Sequence, residues 1–234
     1  MPAPRIITAS LSLAAAGLIA ATGLAFAHGD VTPQPVNTDA LPDVGEEWLT
    51  ENPYRDMGDD VWTTAVRIGG SAFNQNCARC HGLEAISGGL APDLRFLEAE
   101  EYGDEWFAER FQFGYTQNGT TMMPAFGEIL GQKAGWAIRT YIETRPDGDT
   151  LEEFYPELNE IRDQLMELAK ADTPSPEAES IKEKLTEIAS QIDTLSGAPV
   201  ADSIAFRAAH QIGDTPASYH AAAETLTVGL PVAQ

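Results

Sequence analysis

The chain has 234 residues, with 36 Asp and Glu against 14 Lys and Arg and a formal net charge of -22. Hydrophobic residues at 43% and aromatics at 8% are enough for a core, which excludes a disordered acidic tail protein. The charge excludes a nucleic-acid binder, because phosphate backbones need a basic face.

Residues 1–27 read as an export signal: Arg5 gives a positive start, an apolar run of small residues follows, and Ala25-Phe26-Ala27 is an A-x-A cleavage site. Cleavage after Ala27 makes a periplasmic protein beginning at His28. The rival reading is a retained membrane anchor, since the run is about long enough to span a bilayer. No later stretch is apolar for that long, so the chain has no transmembrane segment once the leader is cut. Residues 28–60 are rich in Pro, Asp and Glu and read as an extended arm, with Asn52-Pro53-Tyr54-Arg55 as a turn.

From Val61 the pattern turns helical. Trp62, Ala65, Val66, Ile68 and Phe73 form an apolar stripe leading into Cys77. Residues 82–92 read as loop, 104–113 as a second helix, 114–124 as loop again, and 126–144 as a third helix that Pro146 and Gly148 stop. Trp62, Trp106 and Trp136 sit at helical spacing and are read as core. The composition shifts at Pro146, so 61–146 reads as one domain and 147–234 as an acidic helical extension. Leu158, Ile161, Leu165 and Leu168 give one apolar seam; Ile181, Leu185, Ile188, Ile192 and Leu195 give another after a Pro-containing break. Two such helices predict an antiparallel hairpin, serving either as an interaction or dimerisation surface or as a packed shield on the core. Residues 197–234 show no sustained period apart from a short helix at 201–210, and read as loosely ordered.

Cys77-Ala78-Arg79-Cys80-His81 carries the chemistry. C-x-x-C-H is the attachment motif of a c-type haem: two thiols add to the vinyl groups and the adjacent His gives an imidazole to iron. A thioredoxin-like pair or a structural disulfide has no use for that His, and zinc wants four close ligands where three stand. One haem c, bound through Cys77 and Cys80, is therefore expected. Met122 and Met123 stand in the second loop, where a thioether is poorly explained as core. Met123, fixed by Pro124, is favoured as the second axial ligand, with Met122 the alternative. His210 and His220 have no second motif and are read as surface residues.

With these residues the chain resembles the class I cytochromes c, an all-α fold around one covalently attached haem. Here that fold carries an N-terminal extended arm and a C-terminal helical hairpin extension. Gly69 and Phe73 stand where that family's first helix carries its Gly and aromatic. Pro92 and Leu94 resemble its Pro-x-Leu, which implies that the Pro92 carbonyl orients His81. Trp136 and Tyr141 fall on the last helix, which in the family crosses the first near the Gly. A closer resemblance, carried by 28–34, Asn52-Pro53-Tyr54-Arg55, Asn74-Gln75-Asn76 and 82–89, is to exported cytochromes c that accept electrons from PQQ-dependent alcohol dehydrogenases. It covers about residues 28–146 and leaves out the extension.

The resemblance implies a non-enzymatic one-electron carrier. Its donor would be a PQQ-dependent alcohol dehydrogenase and its acceptor a terminal oxidase or another cytochrome. The rival is a haem enzyme or a gas or peroxide sensor whose Met is displaceable. An acidic surface seeks basic patches. For an acidic donor, contact falls to arginines such as Arg55, Arg79 and Arg95.

Overall fold

The computed structural model describes residues 33–231. The export signal, its cleavage site and His28 lie outside the described residues.

Helix α1 (Asp59–Asn76) opens with two acids, Asp59 and Asp60, at the positive end of its dipole. It turns Ala65, Val66, Ile68, Ala72 and Phe73 inward. It crosses helix α4 (Gly127–Glu143) at Gly69, where a Cβ would lie 1.9 Å from the Ala137 carbonyl oxygen, so only glycine allows the approach. One turn along, the Phe73 and Tyr141 rings meet at 5.3 Å. Helix α3 (Glu101–Phe113) closes this core with Phe107, tilted against Trp136, and Phe111, stacked on Phe126. Trp136 is fully buried, whereas Trp62 and Trp106 are half-buried.

The arm lies against this core. Trp48 packs on Phe111 and Trp136, and the Gln132 side chain accepts from Leu49 N at 3.2 Å while donating to the Glu47 carbonyl at 2.8 Å. Asn52 caps the short turn Pro53–Arg55, and Tyr54 is fully buried. Behind it is a charge cluster that sequence periodicity does not reveal. Arg55 reaches Asp104 at 2.6 and 2.8 Å and Glu143 at 2.6 and 3.0 Å; Arg139 reaches Asp104 at 2.8 Å. Burial pulls the Arg139 guanidinium down and pushes the Glu143 carboxyl up, each opposed by its charged neighbours.

The second loop differs from expectation: it holds a hairpin of β1 (Tyr115–Gln117) and β2 (Thr120–Met123), antiparallel, with Tyr115 opposite Met123. Asn118 and Gly119, both at positive φ (50° and 77°), make the turn, the conformation that matches strand twist in a two-residue loop.

The extension is more than a hairpin. After α5 (Gly148–Glu153), helix α6 (Tyr155–Leu168) packs mainly against α9 (Pro216–Gly229), and α7 (Glu177–Ala189) mainly against α8 (Ile204–Gln211). Helices α6 and α7, the expected partners, touch only lightly. The short helix expected at 201–210 is α8, and the expectation of a loosely ordered end is corrected over residues 204–229, where α8 and α9 fill the seams of α6 and α7. Their inward faces are built from Ala205, Ala208, Ala209, Ala222 and Ala223, too weakly apolar to show a period. Their caps were the available signal, Ser203 accepting from Phe206 N at 3.1 Å and Thr215 preceding Pro216. With Leu158, Ile161, Leu165 and Leu185 buried inside the chain, the seams no longer argue for a dimer.

Core and extension join closely. Asp202 N donates to the Thr144 carbonyl at 2.8 Å, Asp147 N to Asp193 at 2.8 Å, and Ala99 N to Ser196 at 2.9 Å. The Trp62 ring meets Phe206 edge-on at 5.4 Å. Among the described residues, no helix is long and apolar enough to cross a membrane.

Candidate functional site

Cys77 ends α1, its amide donating to the Phe73 carbonyl at 2.7 Å, and its own carbonyl accepts from both Cys80 N and His81 N at 3.0 Å. That single helical turn, α2 (Ala78–His81), brings positions 77, 80 and 81 to one side of the chain. Both thiols are free and half-buried. Burial, and then the neighbouring Cys80, pushes the Cys77 thiol up to about 12. Arg79, between them, is exposed.

Gly82, at φ 80°, lets the chain leave the turn; a Cβ there would lie 1.9 Å from the Ile86 carbonyl oxygen. The loop that follows returns to its start, with His81 Nδ1 3.0 Å from the Pro92 carbonyl oxygen. The loop is braced from within: Ser87 Oγ donates to the Ala91 carbonyl, and Arg95 holds Asp93 at 2.8 Å. Burial lowers the pKa of His81, favouring the neutral ring, with the bond to Pro92 opposing. A neutral imidazole that donates from Nδ1 keeps its lone pair on Nε2, the form that binds metals.

Met123 stands at the end of β2. Gly114, at φ 70°, crosses so close that a Cβ would lie 2.4 Å from the Met123 carbonyl oxygen. Met122 is 55% exposed, whereas Met123 packs on the same core cluster as Cys77. The hairpin is anchored to α3 by Arg110, whose guanidinium lies 5.4 Å from the Trp106 ring and 5.2 Å from the Tyr115 ring. The Asn118-Gly119 pair was the signal for this hairpin.

The donor set fits a haem: two thiols, an imidazole oriented by a carbonyl, and a soft thioether. Large apolar side chains lie exposed in this part of the chain, among them Leu83, Ile86, Leu90, Phe96, Phe113 and Ile129, the kind of surface that an apolar macrocycle covers. Of the arginines considered for docking, Arg55 and Arg95 are held in ion pairs and Arg79 faces solvent. His210 and His220 are exposed, the first beside the Phe206 carbonyl, the second 3.6 Å from Glu224.

Over 125 residues the chain is 54% identical to cytochrome c550 of Pseudomonas aeruginosa, covering 53% of this chain and 84% of that protein. The chain belongs to the c-type cytochromes. Residues 64–142 of this cytochrome match the family model for cytochrome c oxidase, cbb3-type, subunit III. Over 97 residues it is 30% identical to the quinohemoprotein alcohol dehydrogenase ADH-IIG of Pseudomonas putida, which covers 39% of this chain and 13% of that enzyme. No solved structure matches the cytochrome. The family makes it a haem electron carrier, with an all-α fold that agrees with the helices and the one small sheet described above.

Proposed function

We propose that this cytochrome is an exported one-electron carrier that accepts electrons from a PQQ-dependent alcohol dehydrogenase and passes them to a terminal oxidase or another cytochrome. The observation that carries the donor is the 30% identical stretch within a quinohemoprotein alcohol dehydrogenase: a stretch like this chain serves inside such an enzyme. In this reading the leader is cut after Ala27, residues 28–60 are the arm, 61–146 hold the haem, and 147–234 are the extension.

Cys77 and Cys80 would hold one haem c as thioethers. His81 and Met123 would hold its iron. Haem bound there supplies one-electron cycling between ferric and ferrous iron. The Pro92 carbonyl accepts a hydrogen bond from His81 Nδ1–H, fixing the ring plane and strengthening the imidazole as a donor. Met123, a soft ligand, favours the ferrous form and raises the potential. With His81 and Met123 both holding the iron, no open position would remain for a substrate, which favours a carrier over an enzyme or sensor. The charge of -22 steers the protein to basic patches, so partner association weakens as salt rises.

The test is stopped-flow reduction of the ferric protein by a PQQ-dependent alcohol dehydrogenase and its alcohol, preceded by a spectrum for the far-red band of Met-ligated ferric haem. Fast, salt-sensitive reduction is expected. A Met band without reduction would remove this donor and keep the carrier. A missing band with rapid carbon monoxide binding would turn the reading to the enzyme or sensor. Mass of the mature chain reads the cleavage after Ala27.

A further inference from the structure

The loop between His81 and Pro92 contains two consecutive non-glycine residues in the left-handed region, Glu84 (φ 55°) and Ala85 (φ 59°). Side chains rarely adopt that backbone, and two in succession persist only where the surroundings hold them. Ala85 is fully buried, so the turn is fixed from inside. From outside it is held by Arg145, two residues beyond α4, whose Nη1 donates to the Glu84 carboxylate at 2.6 Å.

Arg145 has almost no freedom of its own. Its Nε donates to the Tyr141 carbonyl at 2.9 Å, its guanidinium lies 3.9 Å over the Tyr141 ring, and its Nη2 donates to Asp202 at 2.5 Å. Asp202 belongs to the extension, directly before the Ser203 cap of α8, and its amide is tied to the Thr144 carbonyl. The side chains of Arg145 and Asp202 are 2% and 9% exposed, and Glu84, at 53%, is the outer end of the chain of contacts. Exposed ion pairs contribute little because water competes for them and both side chains must be ordered. Here the guanidinium is dry and clasped on three sides.

We infer that the extension acts on the loop bearing His81 through Asp202 and Arg145, which are positioning residues for the haem site. The inference rests on the reading that His81 holds the haem iron. The extension lies outside the stretch that resembles known carriers, and this contact gives it a task toward the site. A loosened turn at Glu84 and Ala85 would relax the loop that carries Pro92 and weaken its bond to His81. A less strongly donating imidazole favours ferrous iron, and so does loss of a nearby negative charge, so both effects raise the potential.

The experiment uses the full-length holoprotein and two readouts, the midpoint potential and hydrogen exchange at the Ile86 amide, which is bonded to the Leu83 carbonyl at 3.0 Å. Asp202→Asn is expected to raise the potential and speed exchange at Ile86, and Asp202→Glu to restore both. Glu183→Gln, an exposed charge on α7, is expected to change neither. Glu84→Gln should shift both readouts in the same direction, and the double variant should speed Ile86 exchange no further than the larger single one. The inference is overturned by unchanged Ile86 exchange and potential in Asp202→Asn, by an equal shift in Glu183→Gln, or by fully additive gains in Ile86 exchange in the double variant. Should Asp202→Asn fail to fold, Glu84→Gln at its half-exposed position decides alone, and unchanged readouts there overturn the inference. Failure of the haem reading shows separately, as a wild-type spectrum without His and Met ligation, because Ile86 exchange needs no haem signal.

Discussion

In the haem-bearing core, Arg55, Asp104, Arg139 and Glu143 interlock away from water while aromatic rings fill the remaining space. In the extension, alanines and branched aliphatics pack with no comparable buried cluster of charges among the described residues. Charge pairs and rings are directional: they accept one arrangement and reject near neighbours. Aliphatic packing is tolerant, and cores of that kind survive substitutions that keep volume. The rigid half of the molecule is the half that must hold a donor set in place.

The sharpest way to break this comparison is at the thiols. Cys77→Ser with Cys80→Ser should abolish haem that survives denaturing electrophoresis, whereas Leu185→Ala in the extension should leave that stain intact. Next, Asp104→Asn leaves the buried Arg139 and the partly buried Arg55 guanidiniums short of a partner and should cost about 3–5 kcal/mol in denaturant unfolding. Gly69→Ala should cost about 1–3 kcal/mol by forcing α1 away from α4, while Gly148→Ala, which meets open space, should stay within about 0.5 kcal/mol.

The smallest effect lies at acid pH. Asp93 titrates below the usual carboxylate range, chiefly because Arg95 donates to it. A group whose folded pKa is depressed stabilises the fold above its unfolded value of about 3.9, and that contribution is lost as pH falls through the folded pKa. Asp93→Asn should therefore lower stability slightly at neutral pH, leave it unchanged below the folded pKa, and so flatten the acid limb of the stability curve.

Much of this was legible in the sequence, for physical reasons that also explain the gaps. The pentapeptide from Cys77 to His81 is local chemistry, and α1, α3 and α4 show because their inward faces carry strongly apolar residues at helical spacing. Helix α9 was hidden, and α8 showed only as a short helix at 201–210, because alanine offers little apolar surface to mark a period. The hairpin before Pro124 was hidden because its strands are short and exposed, although Asn118-Gly119 announces such a turn. The Arg55 cluster could not be read at all, since its members stand far apart in the chain and a periodic pattern records only neighbours. Asn52-Pro53-Tyr54-Arg55 stood out by resemblance; the structure supplies the reason, a buried tyrosine beside a buried ion network.

The arm has a further consequence in time. Its beginning is pinned where Gln34 N donates to Asn76 Oδ1 at 2.6 Å, 42 residues along the chain and directly before Cys77. Its end is pinned by Asn52 and Arg55 to groups up to 91 residues away. Made early, the arm cannot settle until α1, α3 and α4 exist, and such distant contacts form slowly. While it waits, the last turn of α1 before Cys77 lacks its bond from Gln34. The docking of Trp48 against Phe111 and Trp136, visible as a late change in tryptophan fluorescence during refolding, would mark the moment the arm settles.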